Sequence, residues 1–311
     1  MNRLRPARRS DHLHAFVDHD GVLHPSSSLA MVPWWSFTKT LLAVCVLLLS
    51  ERRMIALDAP LAGLPYSPRQ LLQHRAGVRN YGGLPDYHAA VQRGERPWAA
   101  DELLARIPPE DLLFAPDTGW AYSNIGYLLL RRAVERVTDA TLAQALADLV
   151  LQPLGLETAR VAETADDMRH TALPPPHDYH PGWVYHGCIV GPVGEAALAL
   201  HRLMTGPLLC PASREAMLCR FSIGGSLPGR PWVSTGYGLG VMMGGMQDAG
   251  SSRPVEVAGH SAGGPGSTGA VYSAATPAGR RTAASFSAGS EEGVAEFEVL
   301  GMLRSGDQAL Q

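Results

Sequence analysis

Residues 41–49 are apolar without interruption: Leu41-Leu42-Ala43-Val44-Cys45-Val46-Leu47-Leu48-Leu49. A helix that is apolar all round is a buried one. The pattern predicts a helix over 36–53, with Pro33-Trp34-Trp35 before it and Glu51-Arg52-Arg53 closing it, where cations suit a helix C-terminus. The run falls short of the roughly 20 apolar residues that span a bilayer. Between 58 and 181 the pattern is helical with loops. Asp101-Glu102-Leu103-Leu104 opens a short helix, and 124–137 and 142–151 read as longer ones. Leu173-Pro174-Pro175-Pro176 then forces an extended stretch. Residues 194–204 return to helical spacing. After Ser234 the chain reads as strands. Residues 269–275 and 281–287 flank Pro277-Ala278-Gly279, a hairpin signature, and 14–23 with the turn Asp18-His19-Asp20-Gly21 reads as another. Residues 293–303 close the chain as an amphipathic helix.

Composition narrows the class. The chain has 311 residues, 46% hydrophobic and 18% charged, enough for a sizeable core in one or two domains. A net charge of −3 gives no electrostatic reason to expect nucleic acid or an anionic membrane. With 33 glycines and 24 prolines, many turns are expected. Cys45, Cys188, Cys210 and Cys219 form no C-x-x-C pair and read as free thiols. The start, Met1-Asn2-Arg3-Leu4-Arg5-Pro6-Ala7-Arg8-Arg9, is basic but no apolar stretch follows it. No signal peptide is seen, so a cytoplasmic location is expected; a trimmed N-terminus would make it periplasmic.

The candidate chemistry begins at Ser36-Phe37-Thr38-Lys39. Side chains three apart on a helix lie about 5–6 Å apart at Cβ. An amine is thereby within reach of a hydroxyl. A serine is a weak nucleophile until a base takes its proton, and a lysine in a dry pocket can be that base. S-x-x-K alone is common, and a capping serine with a surface lysine would explain it equally.

Two further motifs follow in order: Tyr122-Ser123-Asn124, and Gly259-His260-Ser261-Ala262-Gly263. Together they resemble the serine β-lactamase and penicillin-binding protein superfamily, with its S-x-x-K, Y-x-N and K-T-G or H-x-G elements. The class C β-lactamases, DD-peptidases and related esterases are the nearest branch. Leu71-Leu72-Gln73-His74-Arg75-Ala76-Gly77-Val78, Gln152-Pro153-Leu154-Gly155-Leu156 and Tyr237-Gly238-Leu239-Gly240 look like that family's segments as well.

The resemblance implies an α+β, β-lactamase/transpeptidase-like fold. An antiparallel sheet flanked by helices would come from 1–57 and 190–311, and a mainly helical domain from 58–189, with the active site in the cleft between them. It also implies roles. Ser36 would be the nucleophile and Lys39 its proton partner. Tyr122 would be general base and then acid, which needs positive charge near its phenol, from Lys39 and from His260. Asn124, His260, Ser261 and Ala262 would contact substrate, with Asn124 also reaching Lys39. The backbone N–H groups of Ser36 and Gly263 would form the oxyanion hole. A core tyrosine and a helix cap are the alternatives for Tyr122 and Asn124.

Several positions depart from the family's pattern. His260 stands where lactamases have lysine, and a mostly neutral imidazole attracts a β-lactam carboxylate less. Ala262 replaces a glycine, which is expected to narrow the cleft. Asp117 replaces a glycine of the "PG" turn. No glutamate plays the class A deacylation role.

Rival readings are weaker. Gly259-His260-Ser261-Ala262-Gly263 also fits the G-x-S-x-G elbow of α/β-hydrolases, but no histidine follows Ser261. His177-Asp178-Tyr179-His180 with His186, and His12, His14, Asp18 and His19, lack metal-site spacing. They read as a loop and a surface hairpin, the first beside the substrate cleft. No metal or other cofactor is expected. Trp34, Trp35, Trp120 and Trp183 are candidates for an apolar acyl pocket. The expected activity is a serine hydrolase acting on an ester, amide or β-lactam through an acyl-Ser36 intermediate. Esterase or peptidase-like work is favoured over strong β-lactamase activity. A penicillin- or peptide-binding module that acylates without efficient turnover is the other class.

Overall fold

The structure is a computed structural model that describes residues 12–305. The basic start at 1–9 lies outside the described residues. The chain opens with β1 (His12–Val17) and β2 (Met31–Pro33), a 3-10 turn at Trp35–Phe37, and helix α1 (Thr38–Glu51). The helices α2 (Pro68–Leu72), α3 (Pro85–Gln92), α4 (Ala100–Arg106), α5 (Asn124–Thr138) and α6 (Leu142–Leu146) follow. Next come β3 (Arg160–Val161), α7 (Ala165–Arg169), β4 (Ile189–Pro192), α8 (Val193–Thr205) and α9 (Pro211–Met217). The last part holds β5 (Phe221–Gly224), β6 (Thr235–Tyr237), β7 (Met242–Met246), β8 (Val255–Gly264), β9 (Ser267–Thr276), β10 (Gly279–Ala288) and α10 (Glu292–Ser305).

The large sheet has the order β1-β10-β9-β8-β7-β6-β5 and is antiparallel throughout. Its strands come from 12–17 and 221–288, so both ends of the described chain build it. Helices cover both faces. Ala270, Tyr272 and Ala274 of β9 pack with Val299, Leu300 and Leu303 of α10, whereas Val271 joins the core on the opposite face, where α8 lies. This is the period of two that a pleated strand imposes. Because both faces are covered, these strands read as nearly continuous small and apolar runs rather than as an alternation. A second sheet, β2-β4-β3, ties the segment before α1 to the middle of the chain.

Residues 58–189 contribute helices around α1 and α5, plus the two-residue strand β3. Helix α1 is buried along nearly its whole length, including Thr38, Lys39 and Thr40. Each of its leucines and valines is worth about 1.5–3 kcal/mol of burial. The helix ends where Arg53 takes φ +59° and Arg52 N–H closes on the carbonyl of Leu48.

Two expectations are corrected. Residues 14–23 are not a β-hairpin. The turn is there, with Asp18 Oδ1 accepting from the N–H groups of Asp20 and Val22, but the return forms no strand: it makes the bridge Val17–Leu23 and donates from His24 and Ser28 N–H to the carbonyls of Phe16 and His14. The strand partner of β1 is β10, which pairs with it over its whole length. The helix expected over 142–151 is α6 followed by a π-helical turn, Ala147–Leu151. The β9–β10 hairpin and the closing helix are where the pattern puts them. All four cysteines are unpaired.

Candidate active site

Ser36 lies in the 3-10 turn, two positions before the start of α1 rather than inside it. Lys39 is the second residue of α1, and the turn runs into the helix so that side chains three apart come together. Trp35 adopts φ +39°, a conformation that bulky residues avoid. Its neighbours hold it there. The indole N–H donates to Ser267 Oγ at 2.9 Å, and the ring lies so close to Gly264 that a Cβ there would come within 2.4 Å. Ser36 Oγ is thereby presented between α1 and β8. Lys39 Nζ is 3.1 Å from it, and the Tyr122 hydroxyl donates to it at 3.0 Å.

Lys39 is completely buried. Nζ lies 3.0 Å from His186 Nε2 and faces the rings of Tyr122 and Tyr127, 5.0 and 5.7 Å from their centroids. Its hydrogen-bond partners are a hydroxyl and an imidazole, not a carboxylate. Burial holds its pKa well below the usual lysine range. Tyr122 is half-buried, and desolvation raises its phenol above the ordinary value, outweighing the hydrogen bond to Ser36.

Ser123, not Asn124, caps α5: its hydroxyl accepts from Gly126 N–H at 3.0 Å. Its own N–H donates to His74 Nδ1 at 3.1 Å, and the His74 ring lies 4.3 Å from that of Tyr122. Asn124 is therefore released from capping. Its backbone N–H donates to Asn80 Oδ1, while its own Oδ1 is buried without a hydrogen-bond partner. The expected contact between Asn124 and Lys39 is absent among the described residues; the hydrogen-bond partners of Nζ are Ser36 and His186.

The third motif runs through the middle of β8, with no strand-to-helix turn at Ser261. His260 Nε2 accepts from the Tyr237 hydroxyl at 2.8 Å, and Nδ1–H donates to the Ser261 carbonyl. Burial, reinforced by any positive charge on Lys39, pushes its pKa down to about 3. His260 is thus neutral and supplies no positive charge to Tyr122, contrary to the expectation above. Ser261 points to the other face of the sheet, where its Oγ bonds Tyr272, Arg230 and Glu296. Ala262 is fully buried in the core, so its methyl group does not narrow the cleft. Gly263 borders the cleft beside Ser36.

Two cavities meet at Ser36, Asn124 and Gly263. The larger, about 460 Å³, runs past Trp120, Tyr237 and Met243 to Arg230 and Glu292. The smaller, about 130 Å³, is walled by Trp35, Tyr81, Tyr87, Tyr179 and Val184. A bigger hollow of about 670 Å³ between Trp98 and Arg131 contains none of these groups. Of the four tryptophans singled out, Trp35 and Trp120 line the cleft. Trp34 and Trp183 pack in the core.

Asp117 now has a reason. It takes φ +69°, the left-handed conformation that glycine adopts freely and aspartate tolerates. Its carboxylate pairs with Arg75 Nη1 at 3.2 Å and accepts from Gln70 Nε2 at 2.5 Å. His180 caps the turn Pro181–Trp183 with its own ring, Tyr179 lines the smaller cavity, and His186 is with Lys39. Among the described residues no group of three or more His, Cys, Asp or Glu side chains could hold a metal ion. Sequence reading missed the partnerships of His186, Tyr237 and the Arg230–Glu296 pair. Each joins positions far apart in the chain, and no local spacing signals them.

Comparison with known proteins agrees with this geometry. A family model described as Beta-lactamase matches residues 15–296. Esterase EstB of Burkholderia gladioli is 36% identical over 142 residues, 39% of this chain and 36% of the esterase. Penicillin-binding protein 4* of Bacillus subtilis (strain 168) is 28% identical over 135 residues, 40% of this chain and 29% of that protein. The matched stretches thus span only 36% and 29% of the lengths of these relatives. Among solved structures, a D-stereospecific amidohydrolase from Streptomyces sp. superposes with a TM-score of 0.76 at 22% identity, covering 96% of this chain and 95% of that one. A D-amino acid amidase from Ochrobactrum anthropi SV3 gives 0.72 at 19% identity, with 90% and 87% covered. At such identities the superpositions speak for the fold alone. The family match over most of the chain, together with that shared fold, means that this protein belongs to the β-lactamase family, within the serine β-lactamase and penicillin-binding protein superfamily.

Proposed function

We propose that the chain is a serine hydrolase that forms an acyl-enzyme on Ser36 with an ester or amide substrate. The observation that carries this reading is the convergence on Ser36 Oγ of Lys39 Nζ at 3.1 Å and the Tyr122 hydroxyl at 3.0 Å, where two cavities meet. Lys39, neutral through burial, takes the serine proton as Oγ bonds the substrate carbonyl carbon. The electron pair of the C=O moves to oxygen, which the N–H groups of Ser36 and Gly263 receive. Collapse expels the leaving group. Tyr122, uncharged, gives that group its proton and regains one from Lys39. Water repeats the sequence on the acyl-enzyme. The clefted arrangement of a sheet part (1–57 and 190–311) and a helical part (58–189) belongs to the same proposal, as do substrate contacts from Asn124 and Gly263.

The neutral His260 favours esters and amides over β-lactams, since no permanent cation stands where a β-lactam carboxylate would bind. The relatives include an esterase and D-aminopeptidases, so amides of D-amino acids are substrates to try beside simple esters. The test is hydrolysis of p-nitrophenyl butyrate, D- and L-phenylalanine p-nitroanilide and nitrocefin by the wild type, Ser36→Ala and Ser261→Ala. Activity lost with Ser36 and kept with Ser261 supports the reading, and undiminished activity in Ser36→Ala overturns it. Acylation by nitrocefin without turnover would instead favour a penicillin-binding module.

A further inference from the structure

Lys39 has a second partner that the mechanism above leaves unused. His186 Nε2 stands 3.0 Å from Nζ, and both side chains are buried. We infer that His186 is the positioning residue of the Lys39 base: it accepts a hydrogen bond from Nζ and so aims the lone pair of the amine at Ser36 Oγ. The inference rests on the acyl-Ser36 reading.

Polarity supports it. With the lone pair of the amine directed at Ser36 Oγ, Nζ is left to donate to Nε2, which puts the histidine proton on Nδ1. Nδ1 is buried, and the acceptor on its side is the Trp35 carbonyl, at the margin of hydrogen-bond geometry, which also suits a proton on Nδ1. The alternatives for this place differ in consequence. A carboxylate would hold the lysine charged and remove its basicity. An apolar side chain would leave the amine free to turn. A neutral imidazole bonds the amine before proton transfer and the ammonium after it. The serine proton moves to Nζ and no proton passes to His186.

The surroundings keep the imidazole neutral. Burial lowers its affinity for a proton first; Arg131 from α5, and any proton taken up by Lys39 from α1 or His260 from β8, act in the same direction, against a smaller opposing effect of the Trp35 carbonyl. Cys188, two residues on, is a buried thiol whose pKa is raised, and the remaining neighbours of Nζ are the uncharged rings of Tyr122 and Tyr127. The segment that carries His186 is pinned on both sides. The Tyr185 hydroxyl donates to the Trp98 carbonyl at 3.2 Å, and the Cys188 carbonyl accepts from Ala162 N–H at 2.8 Å. Gly187 has φ +90°, and a Cβ there would come within 2.3 Å of Leu142. The chain can therefore turn His186 inward only because the next residue is glycine. Asn124, the residue expected to steady Lys39, makes no such bond, and the imidazole stands in its place.

The test is the rate at which an alkyl fluorophosphonate labels Ser36, followed by mass spectrometry from pH 5 to 10. In that reaction the Oγ–P bond forms, fluoride leaves and Lys39 takes the proton. His186→Phe keeps a ring without an acceptor, and His186→Gln keeps an acceptor. The expected result is at least about tenfold slower labelling for His186→Phe, with its acid limb moved to lower pH, because the ammonium has lost an acceptor. His186→Gln is expected to label within about threefold of wild type, with the wild-type limb. Should His186→Phe lack a cooperative thermal transition, His186→Ala takes its place in the comparison. Equal losses in the Gln and Phe variants with an unmoved limb would mean that the ring only fills space, and wild-type labelling of His186→Phe would overturn the inference outright. A wild type that takes label elsewhere than Ser36 would overturn the acyl-serine reading itself.

Discussion

Tyr237 and His260 lock each other across the middle of the large sheet: the phenol donates to Nε2 at 2.8 Å, while Nδ1–H is spent on the carbonyl of Ser261. The imidazole is therefore satisfied in its neutral form. The position that carries a permanent cation in K-T-G enzymes is here an uncharged part of the cleft wall.

That pair makes the first prediction. Tyr237→Phe leaves Nε2 a buried acceptor without a donor. The expected cost is about 1–3 kcal/mol of stability, read from urea unfolding. An unchanged midpoint would show that water or a turned ring replaces the hydroxyl at no cost.

Tyr122→Phe should leave the fold intact, because the ring keeps its packing 4.3 Å from His74. On the proposed mechanism the leaving group loses its proton donor, and loss of a general acid slows the step by about 10²–10⁴. The measurement is single-turnover acylation by D-phenylalanine p-nitroanilide, whose nitrogen leaves only when protonated. A wild-type rate would remove Tyr122 from the chemistry.

Glu296 is completely buried behind β8, where its carboxylate accepts from Arg230, Trp232 Nε1–H and Ser261. Glu296→Ala strands that half-buried guanidinium with Glu292 as its remaining carboxylate. Removing one partner of a buried pair costs about 3–5 kcal/mol. Guanidinium unfolding tests this, and a loss below about 1 kcal/mol would mean that Glu292 takes over fully.

Acid should weaken the fold from near neutrality. Burial lowers the pKa of His74, His186 and His260, the last to about 3. Their stabilising neutrality is complete above the unfolded value near 6.5. Below it the unfolded chain binds protons that the folded chain refuses, so stability falls as pH falls. Each histidine adds a slope of about 1.4 kcal/mol per pH unit between its two pKa values. Asp167, held at about 2 by hydrogen bonds from Thr164, Glu163 and Arg160, keeps its full contribution through this range and loses it only below about pH 4. Urea midpoints at pH 7, 6 and 5 should therefore decline, and a flat series would show that these rings gain protons without unfolding.

The amino-acid order by itself determined whatever depends on near neighbours. An uninterrupted apolar run makes α1 a buried helix, and three residues of helical rise bring Lys39 to Ser36. A two-residue reversal after Thr276 makes the β9–β10 hairpin. The site motifs were legible as well, because each is compact in sequence. Tertiary structure alone decided which motif faces which. Tyr122 reaches Ser36 across 86 positions, His186 reaches Lys39 across 147, and Glu296 reaches Ser261 across 35. Such contacts arise because the two ends of the described chain share one sheet while its middle packs around α1. Residue spacing carries no record of that. The same holds for β1, whose local turn suggested a hairpin but whose open edge is satisfied by β10. The protonation of the site was equally hidden, since a lysine or histidine is ordinary in sequence and becomes neutral only once the surrounding chain has excluded water.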